Sequence, residues 1–209
     1  MEYTHEDIKN LDRVTRLKLI NSVTGIKPAN LIGTIAPNGQ TNLAIFSSVV
    51  HLGSNPALLG FVLRPTGEVP RHTFENIQKT GFYTINHIHP DFIENAHYTS
   101  AKFDAGISEF ERCNLTEEFR EGFYAPFVKE SPFKMGLSLR EFISIKSNGT
   151  LMVVGQIVHL VIPDEAYSEN EIDLEQSGGI GISGLNSYYS LTKIAKFPYA
   201  RVPEVPSFS

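Results

Sequence analysis

Between residues 41 and 77 the chain reads TNLAIFSSVVHLGSNPALLGFVLRPTGEVPRHTFENI, and three places in it offer groups that hold anions. Ser47 and Ser48 end an apolar run with two hydroxyls that can donate hydrogen bonds. Arg64 closes a second apolar run, ALLGFVL, with a guanidinium that stays charged at any physiological pH. His72-Thr73 opens a helical pattern, where backbone N–H groups lack intrahelical partners. Each has a plain structural use: Ser-Ser as a turn, Arg64 as a solvated strand end, Thr73 as an N-cap. Their recurrence in one short stretch, beside apolar strands that can wall a ring, points to a phosphorylated aromatic ligand. Two or three charge-assisted hydrogen bonds at about 1.5–3 kcal/mol each, with ring burial, are enough for micromolar binding.

Other constellations compete for attention. Gly179-Ile180-Gly181-Ile182-Ser183-Gly184 spells G-x-G-x-x-G, but an acidic stretch (Glu171, Asp173, Glu175) precedes it and little chain follows. A dinucleotide fold needs a strand before that motif and a helix after it, so a flexible Gly-rich loop is the expectation. His87 and His89 alternate as on one face of a strand, and Asp91 and His97 lie close behind. That spacing admits a metal-dependent hydrolase site on His87, His89 and His97, against the plain reading of a strand end and a loop. Cys113 stands among Glu109, Glu111, Glu117 and Glu118, whose charges oppose a thiolate, so it reads as structural rather than nucleophilic.

The elements that must carry these groups are mostly strands. Thr4-x-x-Asp7 has the form of a helix start, and residues 13–20 alternate imperfectly, as in a first strand. A buried strand is expected over 29–35, a tight turn at Pro37-Asn38-Gly39, and a strand over 41–46. After the Ser-Ser turn comes a loop closed by Gly53-Ser54-Asn55-Pro56, then a strand over 57–63. A short helix over 73–79 stops at Gly81, and a strand follows over 82–86. Helical patterning runs from Pro90 to Phe119, with a second piece opened by Ser108. Strands over 137–145 and 150–162 flank an Asn148-Gly149 turn, and the proline-rich tail forms no element of its own. Strands joined by hairpins, with short helices inserted, predict a mostly β antiparallel barrel.

Composition bounds the rest. The 209 residues suit one domain spanning 1–209, with its core at about 13–190 and an extended C-terminal tail. A net charge of −5 argues against a nucleic-acid partner. The single cysteine fits a reducing compartment, and MEYTHEDIKN lacks the basic and apolar regions of a secretory signal. No apolar run is long enough for a membrane helix, so a cytoplasmic protein is expected.

Several segments, in order, resemble the flavin reductase-like, FMN-binding split-barrel family, the group that includes flavoredoxin. They are Pro28-ANLIGTI, the Asn-Gly turn, Asn42-x-x-x-Phe46-Ser47, Asn55-Pro56 before an apolar strand, and Arg71-His72-Thr73-x-x-Asn76-Ile77. AHYTSAKF at 96–103, Ser108-Glu109-Phe110-Glu111, Asn114-Leu115-Thr116, Glu130-Ser131-Pro132 and VVGQIVHLVI at 153–162 continue the pattern. The resemblance implies a six-stranded split barrel, a homodimer, and FMN near the subunit interface. It implies that Ser47-Ser48-Val49 and His72-Thr73 hold the phosphate and ribityl chain, with Arg64 near the phosphate. Asn30 and Leu31 would lie near the ring or ribityl, Asn42 opens the strand to the Ser turn, and Tyr98, Ser100 and Lys102 complete the site. The implied activity is an oxidoreductase taking hydride from NADH or NADPH onto the flavin and passing electrons on. The alternative is an FMN-binding electron carrier without nicotinamide activity. Where relatives close with an Arg-x-Gly-Gly-like segment and a covering aromatic, Gly184-Leu185-Asn186-Ser187-Tyr188-Tyr189 stands here without the arginine.

Overall fold

The computed structural model describes residues 1–65, 71–104 and 106–207; the loop expected between Arg64 and His72 falls largely outside them. Helices α1 (His5–Asn10) and α2 (Arg13–Ser22) lead into β1 (Lys27–Pro28), β2 (Asn30–Ile35), β3 (Thr41–Phe46), β4 (Val50–Ser54) and β5 (Ala57–Leu63). Helix α3 (His72–Thr80) precedes β6 (Phe82–His87), and α4 (Ile93–Tyr98) and α5 (Glu109–Arg112) follow. Then come β7 (Glu117–Glu118), β8 (Phe127–Val128), and the long hairpin β9 (Lys134–Ile145) and β10 (Thr150–Val161). Short strands β11 (Tyr167–Ser168), β12 (Glu171–Ile172), β13 (Ile180–Ser183) and β14 (Ser187–Ser190) complete the chain.

The main sheet has the order β3-β2-β6-β9-β10-β5-β4, antiparallel at every pairing. Its two edge strands, β3 and β4, are consecutive, separated only by Ser47, Ser48 and Val49. Three residues span at most about 10 Å, so the sheet must curl round until its edges meet. β3 and β4 are thus one strand bent at the Ser-Ser corner, and the barrel has the six strands the family resemblance implies. Ser48 makes the seam: its hydroxyl accepts from Val62 N–H at 3.0 Å and donates to Val62 C=O at 3.2 Å. A side chain there does what a backbone ladder would do.

Alternation along the strands sorts the core into two layers. Ile32, Phe61, Tyr83, Ile85, Leu137 and Val153 fill the barrel, with Ile77 of α3 plugging one end. Leu31, Leu43, Val128, Phe110, Ala96, Ile180 and Ile182 pack outside it, under α4, α5 and β13. With both faces covered, all six residues of β2 are buried. That is why its sequence shows no alternation.

Three expectations are corrected. Residues 13–22 form helix α2, because the Asp12 carboxylate caps the N–H groups of Val14 and Thr15 at 3.0 and 3.1 Å. The stretch after the Ser corner is not all loop: β4 pairs with β5, leaving Asn55 and Pro56 as the turn. The Gly-rich segment is strand β13, held between β1 and β14 in a second sheet. Gly181 faces Pro28 there, and a Cβ on it would come within 2.3 Å of Ile26 Cγ2. Its glycine answers close packing rather than a phosphate.

Candidate functional site

At the end of the barrel plugged by α3, four buried polar side chains form a net. Asn42 Nδ2 donates to Thr73 Oγ1 at 3.1 Å and to Thr34 Oγ1 at 3.4 Å, while Asn76 Nδ2 donates to Thr34 Oγ1 at 3.1 Å. These bonds fix the first turn of α3 over β2 and β3. Thr73 accepts from Asn42 and keeps its own hydroxyl proton for another partner. Arg71, the N-cap residue of α3, makes no capping bond, and its Nε is buried without a partner among the described residues. The helix start is uncapped beside a buried guanidinium N–H that has no partner among the described residues, a combination that can take an anion's oxygen. Arg64 lies exposed after β5 and makes no ion pair with any described residue. Sequence reading took Arg64 and passed over Arg71, although Arg71 directly precedes His72 in the same motif.

Behind this end, Glu109 is buried and accepts from Leu43 N–H at 2.9 Å. Burial raises its pKa, opposed by that hydrogen bond and by the charge of nearby His72. Glu109 was legible only as part of a motif; its role as an anchor for β3 needed the fold.

The Ser corner lies at the other end of β3. Four strand steps from Asn42 to Phe46 make about 13 Å. One phosphate cannot bridge Thr73 and Ser47; an extended molecule can. The Ser48 hydroxyl is engaged in the seam and Val49 packs into the barrel core, so the corner offers a ligand Ser47 and backbone. Asn30 pairs in register with Phe46 and with His87, which places it at the same end. It is 1% exposed, and neither its Oδ1 nor its Nδ2 has a partner among the described residues. Leu31 points to the opposite face, into the outer layer.

His87 lies flat on Phe133, ring centroids 4.4 Å apart and planes 17° from parallel. Burial pulls its pKa down to about 4. An unfolded histidine titrates near 6.5, so between there and about 4 the unfolded chain takes up the proton and the folded one does not. Acidification through that window therefore costs about 3 kcal/mol of stability from this ring alone. In urea unfolding followed from pH 7 to 4, His87→Phe should remove that share of the acid sensitivity. An unchanged pH profile in the variant contradicts this account.

The three histidines of the metal alternative are not brought together. His87 stacks on Phe133, His89 Nδ1 lies 3.2 Å from Asp91 Oδ2, and His97 Nδ1 lies 3.0 Å from the Tyr188 hydroxyl. No cluster of three His, Cys, Asp or Glu suited to a metal occurs among the described residues. Burial, and then the Glu109 charge, raise the Cys113 pKa, which agrees with a structural thiol. Tyr98, Ser100 and Lys102 are exposed on and after α4. Tyr188, the aromatic expected to cover a ring, meets His97 on α4, and burial pushes its hydroxyl up to about 12. Among the described residues, no helix is long and apolar enough to cross a membrane.

A closed antiparallel barrel with an uncapped helix start at one end and a Ser corner at the other defines the class. Residues 26–176 match the family model described as flavin reductase like domain, and the chain belongs to that family. Among solved structures it is similar to a candidate flavin reductase with a split barrel domain from Shewanella frigidimarina NCIMB 400. That pair is 48% identical with a TM-score of 0.91, covering 96% of this chain and 100% of the other. Nitrilotriacetate monooxygenase component B from Bacillus cereus is 18% identical with a TM-score of 0.83, covering 94% of this chain and 98% of that one. An FMN-binding protein from Thermus thermophilus is 13% identical with a TM-score of 0.69, covering 83% and 90%. The two more distant structures speak to fold alone.

Proposed function

We propose that the protein is an FMN-dependent oxidoreductase that accepts hydride from NADH or NADPH and passes the electrons on. The carrying observation is the pairing of the uncapped α3 start and the Arg71 Nε, which has no partner among the described residues, with a Ser corner about 13 Å along β3. That separation suits a phosphate at one end and a ring at the other, joined by a sugar-alcohol chain. Arg71, the first-turn N–H groups of α3 and the Thr73 hydroxyl would hold the phosphate, with Arg64 adding charge from the rim. Ser47 and the corner backbone would meet the chain and ring, and Asn42 would act through Thr73. Tyr98, Ser100, Lys102 and Tyr188 would border the open face. FMN, when bound, supplies the hydride-accepting ring, and the protein's part is to fix it and keep one face open.

A homodimer belongs to this proposal. Ile194, Phe197, Tyr199 and Val202 on the tail are 83–95% exposed, and α1 and α2 bury no residue. So many bare apolar side chains call for a partner surface, and a second copy offers the same set in return. The competing reading is an FMN-binding carrier that never meets a nicotinamide, favoured by the missing arginine before Tyr188.

One preparation separates these. Reconstituted protein should be yellow, run in light scattering as two chains with about one FMN each, and bleach anaerobically with NADH or NADPH. Colourless protein after incubation with FMN ends the flavin reading. Yellow protein that neither nicotinamide bleaches is the carrier.

A further inference from the structure

Helices α1 and α2 precede residues 26–176, the span of the family model, and an extended arm over 191–207 follows it. Both α2 and the arm are built inside out. On α2, Arg16 turns back to the carbonyls of Lys9 (2.8 Å) and Leu11 (3.2 Å). Asn21 and Ser22 return to the carbonyls of Leu17 and Lys18, both at 2.8 Å. The apolar residues Val14, Leu17 and Ile20 recur every third position and face water, 44–58% exposed. The arm repeats this arrangement. Lys193 Nζ lies 3.0 Å from Asp173 Oδ2, its N–H donates to Glu175 at 2.9 Å, and Lys196 Nζ lies 2.9 Å from Glu171 Oε2. While its cations are pinned to the 169–175 segment, Ile194, Phe197, Tyr199 and Val202 stand bare in solvent. Large apolar groups turned outward from a segment that its own polar groups hold down form a surface for another body.

We propose that the arm of each copy lies across helix α2 of a second copy, in a reciprocal exchange about a two-fold axis. The inference rests on the homodimer in the reading above and needs no flavin. Within one copy the arm is already seated elsewhere. Strand β14 leads from Gly184, beside Ser22 and Lys27, back to the Ile180 end of its sheet, and the lysines then hold the arm on the acidic segment. Pro198, Pro203 and Pro206 lack N–H donors, so the arm meets its partner through side chains rather than as an added strand. The area is sufficient as well. The Phe197 and Tyr199 rings carry roughly 150–250 Å² each, and with the aliphatic groups of arm and helix each copy approaches the ~800 Å² per partner of a stable interface.

The test is self-association of the whole chain, followed by sedimentation over a concentration series, with two double variants at exposed positions. Phe197→Ala with Tyr199→Ala strips the arm, and Leu17→Ala with Ile20→Ala strips the helix. Each should weaken the dimer about tenfold or more, with far-UV circular dichroism unchanged. Mixed one to one, the two variants should associate more tightly than either does alone, because a mixed dimer keeps one intact pair of arm and helix. Alanine adds no charge, so repulsion plays no part in that comparison. An arm lying on its own helix, or arm and helix in separate contacts, gives a mixture no tighter than its components, and that result overturns the assignment. Unaltered protein that sediments as a single chain overturns it too, as does a dimer that neither variant weakens. FMN uptake is read on the same samples. Colourless dimers that follow the expected pattern end the flavin reading alone; yellow dimers that both variants leave intact end this one alone.

Discussion

Arg71→Ala should lower FMN affinity about a hundredfold while leaving riboflavin affinity unchanged. Riboflavin lacks only the phosphate, so the comparison isolates the group that Arg71 is assigned to hold. A hydrogen bond to a charged group contributes about 1.5–3 kcal/mol, or ten- to roughly 150-fold in affinity. The upper part of that range applies because the Arg71 Nε is buried, where water competes poorly. That atom bonds to no described residue, so the substitution should cost the fold little. Thr73→Ala is a poorer probe, since Thr73 Oγ1 also accepts from Asn42 and its loss leaves that buried amide only the longer bond to Thr34. Arg64→Ala should act in the same direction but more weakly, from an exposed position. Equal losses for FMN and riboflavin in Arg71→Ala would remove the phosphate from this end of the barrel.

A large stability effect is expected at Gly33. A Cβ there would come 2.4 Å from the Pro126 carbonyl oxygen and 2.6 Å from Thr84 Oγ1. Neither neighbour can withdraw freely. Thr84 donates to that same Pro126 oxygen at 2.7 Å, and the segment is pinned two residues on, where Val128 N–H donates to Asn86 Oδ1 at 3.0 Å. Gly33 itself lies within β2, paired on both sides with Leu43 and Thr84. Gly33→Ala must therefore break the Thr84 hydrogen bond or displace a central strand, costing about 3 kcal/mol or more. The urea midpoint reads this directly. Adding Thr84→Ala relieves only the second contact and should restore little. A loss below about 1 kcal/mol in Gly33→Ala would mean that the segment under β2 yields far more easily than its bonds imply.

What the sequence revealed and what it hid divide along one line, the distance to the partner. The strands over 30–35, 41–46 and 57–63 were legible because their apolar runs are bounded by local turn residues. Pro37-Asn38-Gly39 and Asn148-Gly149 are such turns, and Gly81 ends α3 in the left-handed region at φ 75°. Residues 13–20 were misread because Val14, Leu17 and Ile20 project to solvent, leaving a pattern with no buried face to report. β13 was misread because its glycine, Gly181, is explained by Ile26, far back in the chain. The same holds at the site. Ser47, His72 and Thr73 announced themselves as ends of elements. Arg71, and the lack of a partner for the Asn30 side chain among the described residues, became visible only once their surroundings were built.

The pairing of β1 with β13 sets Lys27 opposite Ile182, and Ala29 N–H donates to Ile180 C=O at 3.2 Å. These contacts join chain positions far apart, and the entropy of closing so long a loop must be met before any contact rewards it. During synthesis, the barrel strands β2 to β10 are available well before β13 leaves the ribosome. The cavity that Asn30, His87, Ile180 and Leu191 line then lacks its last two walls, and the barrel mouth stands open to water. Final closure of that mouth is a late event in translation, governed by arrival of the last strands rather than by collapse of the first.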